Sequence, residues 1–564
     1  MRNLSKQSFL LFFGIFLLAA AFRFIRLNVV PLNHAEAALA LQALSAVEGT
    51  QVRFGSEIAY VGLTSIFFFL FSANTFLARF WPALSGSLLI WVPYLSKKQT
   101  GTWPALIAAA ILALSPDMVA LSRIVGSPMM AMVFLLLAVG MFLNRKPITS
   151  GICFALGLMS GPGFWVGLLI IGLSLMIGEM GFSITKNYYL ESLKQTKQYW
   201  VRLGCAFGLT LLVAGTNFFM APSGLSGVFS GLYQFVNGFF QTSILPIRYF
   251  LLALFSYCAA AVLFGFWGGI NSLKDKNNLD QFLFIWVLVA FVFLIIYPAR
   301  RTADLVWLTF PLWILAARII YQAWYFPERA QYVPIVTAIL LITLSAFILL
   351  ILRSLVSPMV LQPDQNNYFI ALVGGVVLMI AIIIMVSYGW SAAYARSGLI
   401  IGLVIVSIVG MVSVSINSTS LAPEPKHSIW FDDEPILTTR WMTQSIERVN
   451  IWNASGVDPV DIAVINRDLP GMRWHLISYR PVHFAPFLSP SADYGILITD
   501  VQENPEITSS YLGQKLVWSQ QINWHALTGQ QVLSWALTGE APVISEEIIL
   551  WVRTDLMPAD EFSQ

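Results

Sequence analysis

Apolar runs of about twenty residues recur along most of the chain, from residue 8 to residue 416. A helical run of this length matches the hydrocarbon thickness of a lipid bilayer. The composition agrees, because 57% of the residues are hydrophobic and only 11% are charged, whereas soluble domains carry roughly 25% charged residues. The sequence therefore predicts an all-α, polytopic membrane domain.

These runs predict about thirteen transmembrane helices. Two of them arise from dividing one long run at Gly161-Pro162-Gly163, where the backbone is easily broken. The shorter run 58–72 is interpreted as a re-entrant or interfacial segment, and the first run as an uncleaved helix, not a removed signal peptide. The predicted spans are 8–26, 77–96, 104–121, 127–144, 148–160, 163–181, 201–219, 247–271, 281–298, 304–322, 333–352, 369–388 and 397–416.

The positions of the lysines give the predicted topology. With the N-terminus in the cytoplasm, every lysine before residue 420 lies in a cytoplasmic segment, among them Lys97, Lys98, Lys146, Lys186, Lys194, Lys197, Lys274 and Lys276. The opposite side carries only arginines: Arg53, Arg79, Arg123, Arg248, Arg300, Arg301 and Arg353. This bias obeys the positive-inside rule. It predicts a multi-pass protein of the cell (plasma) membrane with its C-terminal part outside the cytoplasm.

The chain divides into two predicted domains, a membrane domain over 1–417 with a first outer loop at 28–76, and an extracytoplasmic α/β domain over 418–564. The second opens with a proline-containing linker, 418–425. The apolar segments 461–466 and 494–499 suit buried strands, and 469–479 suits a helix with Pro470 near its first turn. A last strand at 547–553 would close a small sheet.

The first outer loop contains two residues that suit proton transfer. The segment 31–49 predicts a helix at the membrane surface, capped by Asn33 and ended by Gly49. Glu36 is a candidate catalytic carboxylate at the mouth of an outer cavity, with His34 beside it as a second proton-transfer group or ligand. The structural alternative is a capping box, in which Glu36 binds the backbone at Asn33.

Three outward-facing arginines are candidates for binding a phosphate, because the planar guanidinium group matches phosphate oxygens. Arg123 follows a short segment that contains Asp117, and these two residues could instead form a surface ion pair of little energetic consequence. Arg300 and Arg301 lie together between two predicted helices. Contact with lipid headgroups is the structural alternative for them.

Several function classes are excluded by what the sequence lacks. There is no Walker loop, dinucleotide fingerprint, HExxH motif or nucleophile elbow, so the chain must use a substrate that is already activated. The three cysteines lie inside apolar runs without metal-binding spacing. No residue is assigned to a metal, although a divalent ion stays open as a cofactor. A net charge of +3 does not indicate a nucleic-acid partner.

Several motifs, taken together, resemble the GT-C membrane glycosyltransferases, specifically the relatives of glycosyltransferase family 39. That group includes protein O-mannosyltransferases, the aminoarabinose transferase of lipid A and the flippase-associated glycosyltransferase-like proteins. The resemblance implies a GT-C fold, a polyprenyl-phosphate-linked sugar as donor and membrane lipid as a partner. The motifs that carry it are 32–37 (LNHAEA), 78–88 (ARFWPALSGSL), 113–116 (ALSP) with Ser122-Arg123, 298–301 (PARR), 469–476 (LPGMRWHL) and 550–553 (LWVR).

The chain departs from the family pattern where the resemblance implies chemistry. Ala35 occupies the position of the family's probable catalytic aspartate, and Ser127-Pro128 that of a second acidic residue. Two functions are therefore predicted. The first is transfer of a sugar at the outer face, with Glu36 and His34 as the catalytic groups and Arg123, Arg300 and Arg301 holding the donor phosphate. The alternative is an inactive GT-C protein that binds a lipid-linked glycan or joins an envelope complex, with protein partners on its C-terminal domain.

Overall fold

The structure is a computed structural model of the 564-residue chain. It describes residues 2–49, 54–182, 195–219, 221–243, 245–275, 277–324, 332–356, 362–417, 429–430, 436, 439–453, 460–479, 481–488, 493–501, 509–524 and 526–557. The predicted linker 418–425 lies outside these residues, as do Arg53, Lys186, Lys194 and Lys276.

Helices form nearly all of the N-terminal three quarters of the chain, and each predicted span coincides with one or two of them. They are α1 (Arg2–Phe24), α2 (His34–Glu48), α3 (Ile58–Phe71), α4 (Thr75–Leu88), α5 (Trp91–Thr100), α6 (Thr102–Leu114), α7 (Pro116–Leu121), α8 (Met129–Leu143), α9 (Pro147–Leu158), α10 (Gly163–Phe182), α11 (Lys197–Gly215), α12 (Ser226–Asn237), α13 (Ile247–Asp275), α14 (Asn278–Ile296), α15 (Val306–Ala323), α16 (Tyr332–Val356), α17 (Gln362–Gly389) and α18 (Ala392–Asn417).

Within the described part of the chain, nine helical segments are long and apolar enough to cross a membrane. Four shorter apolar helices accompany them: α3, α6, α8 and α9. The protein is therefore a multi-pass membrane protein. The predicted span 104–121 is broken between α6 and α7, because Pro116 cannot continue the helix that precedes it.

Small residues bring the helices of the bundle close together. A Cβ atom at Gly265 or Gly268 of α13 would lie 2.5 or 2.6 Å from a backbone carbonyl oxygen of α15. Gly167 of α10 faces the ring of Trp307, which is fully buried. Membrane helices gain little from apolar burial against lipid, so such close van der Waals packing is what holds them together.

The C-terminal part contains a five-stranded sheet with three further helices. The strands are β1 (Ile462–Ile465), β2 (Val482–Ala485), β3 (Ile496–Asp500), β4 (Tyr511–Ile522) and β5 (Val543–Arg553), in the order β2-β1-β3-β5-β4. The helices are α19 (Thr439–Trp452), α20 (Pro470–His475) and α21 (Gly529–Thr538). β1 runs parallel to β2 and β3, whereas β5 is antiparallel to β3 and β4. The predicted α/β fold is confirmed, with β2 and β4 as additional strands.

Among the described residues, this α/β part packs directly on the helical part at several places. At the first, α20 lies against α2, and the ring of Trp474 in α20 is 5.8 Å from that of Phe68 in α3. At the second, the Thr302 hydroxyl donates to the Ile429 carbonyl at 2.9 Å, and Trp430 packs on Tyr257 of α13. The sheet is thus held over the same end of the bundle that carries the first outer loop.

Candidate active site

Glu36 lies in the first turn of α2 and forms the capping box. The Asn33 side chain accepts a hydrogen bond from the Glu36 N–H at 2.8 Å, and the Asn33 N–H donates to Glu36 Oε2 at 3.3 Å. Gly49 ends the helix in the left-handed conformation, with φ at 70°. The local pattern Asn-x-x-Glu therefore fixes where α2 begins, as a capping box does.

The Glu36 carboxylate is also the centre of a buried ion pair. Arg79 Nε donates to Oε1 at 3.0 Å and Arg79 Nη2 to Oε2 at 2.5 Å, while the Val125 N–H donates to Oε1 at 3.0 Å. With 1% of its surface exposed, Glu36 has four hydrogen bonds on two oxygens. This geometry matches the structural alternative for Glu36, and it ties α2 to α4 and to the segment after α7.

His34 connects the loop to the α/β part. Its Nδ1 accepts a hydrogen bond from the Gly471 N–H at 3.2 Å. On the same face, His475 Nε2 donates to the Leu32 carbonyl at 3.3 Å. Both rings lie near Trp518. His34 therefore contacts the domain above it, and its ring is engaged in the joint between the two parts.

Arg123 binds the C-terminal end of α1. Its guanidinium donates at 2.9–3.2 Å to four backbone carbonyls, those of Phe22, Arg23, Ile25 and Arg26. The last carbonyls of a helix have no partner inside the helix and carry its negative dipole end, so a buried arginine suits this position. Asp117 has a different partner, since it accepts from the Thr309 hydroxyl at 2.5 Å.

Arg300 plays a similar part at the end of α14. Its Nη1 donates to the carbonyls of Ile295 and Tyr297, each at 3.1 Å. Its Nη2 donates to the Ser243 hydroxyl at 2.9 Å and to the Leu245 carbonyl at 2.8 Å. The side chain is 5% exposed, and it points toward Ser243 and Leu245.

Arg301 lies in a different environment, next to two carboxylates. Its N–H donates to Asp304 at 2.9 Å, and its Nη1 reaches the Gly126 carbonyl at 3.5 Å. Its positive charge acts on both Glu57 and Asp304. The turn before α15 thus places a half-buried guanidinium against the segment 125–126, which also binds Glu36.

Glu57 is the acidic partner on the other side of that segment. It is the N-cap of α3, in the first outer loop, and is half-buried. A Cβ atom at Gly126 would lie 3.5 Å from Glu57 Oε1, and one at Gly161 would lie 3.0 Å from Glu57 Cγ. Both glycines have positive φ, at 78° and 91°, so they turn the chain tightly around the carboxylate at no steric cost.

Burial raises the pKa of Glu57 to about 7, against the opposing effect of the Arg301 charge. Desolvation disfavours the ionised form of a carboxyl group. A carboxyl group with a pKa near neutrality can take up and release a proton under physiological conditions, as a general base requires. Sequence reasoning gave Glu57 no role. The signal that could have found it is an acidic residue directly before the apolar run 58–72.

The backbone around Glu57 is held by α12, a helix that the sequence reading did not predict. The Ser56 hydroxyl donates to Gln234 at 3.0 Å. A Cβ atom at Gly227 would lie only 2.3 Å from the Gly55 carbonyl oxygen. The two residues that precede Glu57 are therefore packed in place, which fixes where the chain enters α3.

The predicted site residues are thus brought together only in part. Glu36, Arg123 and Arg301 all contact or belong to segments around residues 123–126, whereas His34 and Arg300 point elsewhere. Among the residues that the structure describes, no group of three or more His, Cys, Asp or Glu side chains could hold a metal ion. What the arrangement offers is a proton acceptor, Glu57, on which the charge of Arg301 acts.

No protein-family profile and no curated protein matches the chain. Several solved structures are similar to the chain. The chain is similar to ArnT from Cupriavidus metallidurans bound to undecaprenyl phosphate, with a TM-score of 0.54, 14% identity and coverage of 97% of this chain and 98% of ArnT. For ArnT in the apo state the TM-score is 0.52, at 14% identity, covering 98% and 99% of the two chains.

A third similar structure is the oligosaccharyltransferase AglB from Archaeoglobus fulgidus in complex with an inhibitory peptide and a dolichol-phosphate. Its TM-score is 0.43 at 14% identity, covering 88% of this chain and 70% of AglB. The match to ArnT extends over the helices and the C-terminal α/β part alike. The chain has the fold of the GT-C membrane glycosyltransferases.

Proposed function

We propose that this chain is a membrane glycosyltransferase that moves a sugar from a polyprenyl-phosphate donor to an acceptor on the outer face of the membrane. Three observations support the proposal. The fold is that of the GT-C enzymes, a similar solved structure is bound to undecaprenyl phosphate, and the charge of Arg301 acts on the Glu57 carboxyl group at the loop end of the bundle. The last of these carries the proposal, because it concerns the chemistry of this chain's own residues.

The proposed reaction is a single displacement. Glu57 accepts the proton of the acceptor hydroxyl, whose oxygen attacks the anomeric carbon of the donor sugar. The bond between that carbon and the donor phosphate oxygen breaks, and polyprenyl phosphate leaves with the electron pair. Arg301 lies where it can neutralise the charge that develops on the leaving phosphate. A base and a stabilised leaving group are the two groups that this displacement needs.

The residues first predicted for these roles take other parts in the proposal. Glu36 and Arg79 hold α2 against the segment 125–126, and Arg123 fixes the end of α1 beneath it. His34 joins the loop to the α/β part. The catalytic roles of Glu36 and His34, and phosphate binding by Arg123 and Arg300, stay predictions that the same assay tests.

The decisive experiment replaces Glu57 by Gln. We expect transfer from a mixture of polyprenyl-phosphate sugars, measured on the full chain in detergent, to fall by roughly 10²–10⁴-fold, the usual contribution of a general base. The matched control is Glu48→Gln, an exposed residue in the last turn of α2, which should keep full activity. Full activity of Glu57→Gln would rule out Glu57 as the base.

The pH profile adds a second readout. A base must be ionised to act, and the pKa of Glu57 is raised to about 7. The rate of the unaltered protein should therefore increase as pH rises from 5.5 to 8, with its midpoint near 7. A flat profile over this range would contradict the assignment.

A non-catalytic GT-C protein is the second candidate function. The observation that favours it is the engagement of Glu36, His34, Arg123 and Arg300 in contacts that stabilise the fold. Under this reading the chain binds a polyprenyl-phosphate glycan or an envelope partner without turnover. Retention of undecaprenyl phosphate by the unaltered protein, with no transfer from any donor, would favour it over the enzyme.

A further inference from the structure

An apolar groove runs between α6, α15 and α18. Its volume is about 930 Å³, and aliphatic and aromatic side chains line it almost throughout. Its lining includes Ile107, Ala110 and Leu114 of α6, Ile320 of α15, and Ile408 of α18. All three helices belong to the membrane-embedded part, so the groove faces lipid hydrocarbon, and water has no polar partners there.

The groove has the depth of one leaflet. Its α6 wall extends from Trp103 to Leu114, which corresponds to about 16 Å at the rise of 1.5 Å per residue. The hydrocarbon core of a bilayer is about 30 Å thick. An acyl chain that enters beside Trp103 would therefore follow the α6 wall over a length of about half the hydrocarbon core.

One end of the groove carries the residues of a membrane surface. Trp103 and Trp324 are 60% and 67% exposed there, and Tyr321 lies beside them. Lys97 and Lys98, in the last turn of α5, precede Trp103 by only a few residues. Exposed Trp and Tyr mark the headgroup level of a bilayer, and lysines at that level attract anionic headgroups.

This end is opposite to the candidate active site. α6 begins beside Trp103 and leads through α7 to the segment 125–126. α15 begins directly after Arg301 and the turn Thr302–Leu305, and it ends at Trp324. The Glu57–Arg301 pair and the aromatic end of the groove therefore lie at opposite ends of the same two helices.

We propose that the groove binds an acyl chain of an anionic phospholipid from the leaflet on the side of Lys97 and Lys98. The apolar lining and length of the groove suit an acyl chain, and the lysines select an anionic headgroup. The site is separate from the proposed transfer reaction, because a donor whose phosphate lies at Arg301 would enter from the opposite surface.

The test is to fill the groove. Ala110→Trp places a large ring in the middle of its α6 wall, whereas Ala381→Trp makes the same change on α17, which does not line the groove. Full-length protein is extracted from membranes containing phosphatidylglycerol and phosphatidylcholine, and retained lipid is counted by native mass spectrometry. We expect the unaltered chain and Ala381→Trp to retain a phospholipid, and Ala110→Trp to lose it.

The double variant Lys97→Gln/Lys98→Gln tests the headgroup. It should retain a lipid but lose its preference for phosphatidylglycerol over phosphatidylcholine, by on the order of fivefold per lysine. Equal retention by Ala110→Trp and Ala381→Trp would overturn the proposal. So would retention of undecaprenyl phosphate in place of a phospholipid, or an unchanged preference in the lysine variant. If Ala110→Trp does not fold, Ala110→Leu, which narrows the groove less, should reduce retention in its place.

Discussion

Single arginines account for much of how this protein positions its first outer loop. Arg123 and Arg300 each occupy the carbonyl-rich end of a helix, α1 and α14, where backbone acceptors and the helix dipole compensate a buried positive charge. Arg79 pairs with Glu36 instead. These three side chains are buried and each donates several hydrogen bonds, so their guanidinium groups contribute to the architecture at the same surface where Arg301 contributes to the candidate site.

Replacing Glu36 by Gln should destabilise the protein strongly. The amide can still accept from the Asn33 N–H, but Arg79 keeps its charge in a buried site without a carboxylate. Removing one partner of a buried ion pair costs about 3–5 kcal/mol. The expected result is a melting temperature well below that of the unaltered protein in detergent.

Glu48→Gln, on the same helix but exposed, is the control for this measurement. Surface substitutions usually change the free energy of unfolding by less than about 0.5 kcal/mol. If Glu36→Gln instead melted like the control while losing transfer activity, Glu36 would be the catalytic base as first predicted from the sequence.

Side-chain contacts between residues close in the sequence could be predicted, whereas contacts between residues far apart in the sequence could not. Asn33 and Glu36 are three residues apart, so the capping box follows from the sequence pattern alone. Arg79 is 43 residues from Glu36, and no local sequence pattern indicates that the two residues form an ion pair. The sequence places Glu57 among the outward-facing charged residues but assigns it no role, because Gly126, Gly161 and Arg301 reach it only through the tertiary fold.

Among secondary-structure elements, the contact of α20 with α2 should depend on pH. Burial lowers the pKa of His475 to about 4, assisted by the nearby charges of Arg79 and His34. Because this folded-state value lies below the ordinary value of 6.5, the unfolded chain binds more protons between pH 4 and 6.5. Stability is therefore full above pH 6.5 and declines as pH falls, by on the order of 1–2 kcal/mol at pH 5.

Thermal unfolding at pH 7.5 and pH 5 measures this dependence. His475→Gln keeps a donor for the Leu32 carbonyl but cannot titrate, so its melting temperature should change less between the two pH values. His483→Gln, an exposed histidine of the same domain, should behave like the unaltered protein. Identical pH dependence in the His475 and His483 variants would show that His475 does not contribute.

Helices and strands could be predicted from the sequence where their segments are continuously apolar. Every long apolar run became a helix, and the buried strands β1 and β3 lie where the runs 461–466 and 494–499 predict them. β4 and α12 were not predicted. β4 is an edge strand with many exposed polar residues, and α12 is an amphipathic helix in a loop, so neither gives a continuous apolar signal.

For the whole molecule, the orientation in the membrane stays a prediction from the lysine bias. A reporter enzyme fused after Ser418 should be active only outside the cytoplasm, and one fused near Lys194 only inside. The physical reason is that positively charged loops are retained in the cytoplasm during insertion. A cytoplasmic signal at Ser418 would mean that the number of membrane crossings before it has the wrong parity.

The two charged residues of the candidate site, Glu57 and Arg301, are synthesised at different times during translation. Glu57 and Arg301 are about 240 residues apart in the chain. At roughly 5–20 residues per second, translation separates them by roughly 12–50 s. Gly126 and Gly161 are synthesised within that interval. The segments that surround the Glu57 carboxylate can therefore pack around it before Arg301 has been synthesised. During biosynthesis this carboxyl group is therefore without the charge of Arg301 until the turn before α15 reaches the membrane.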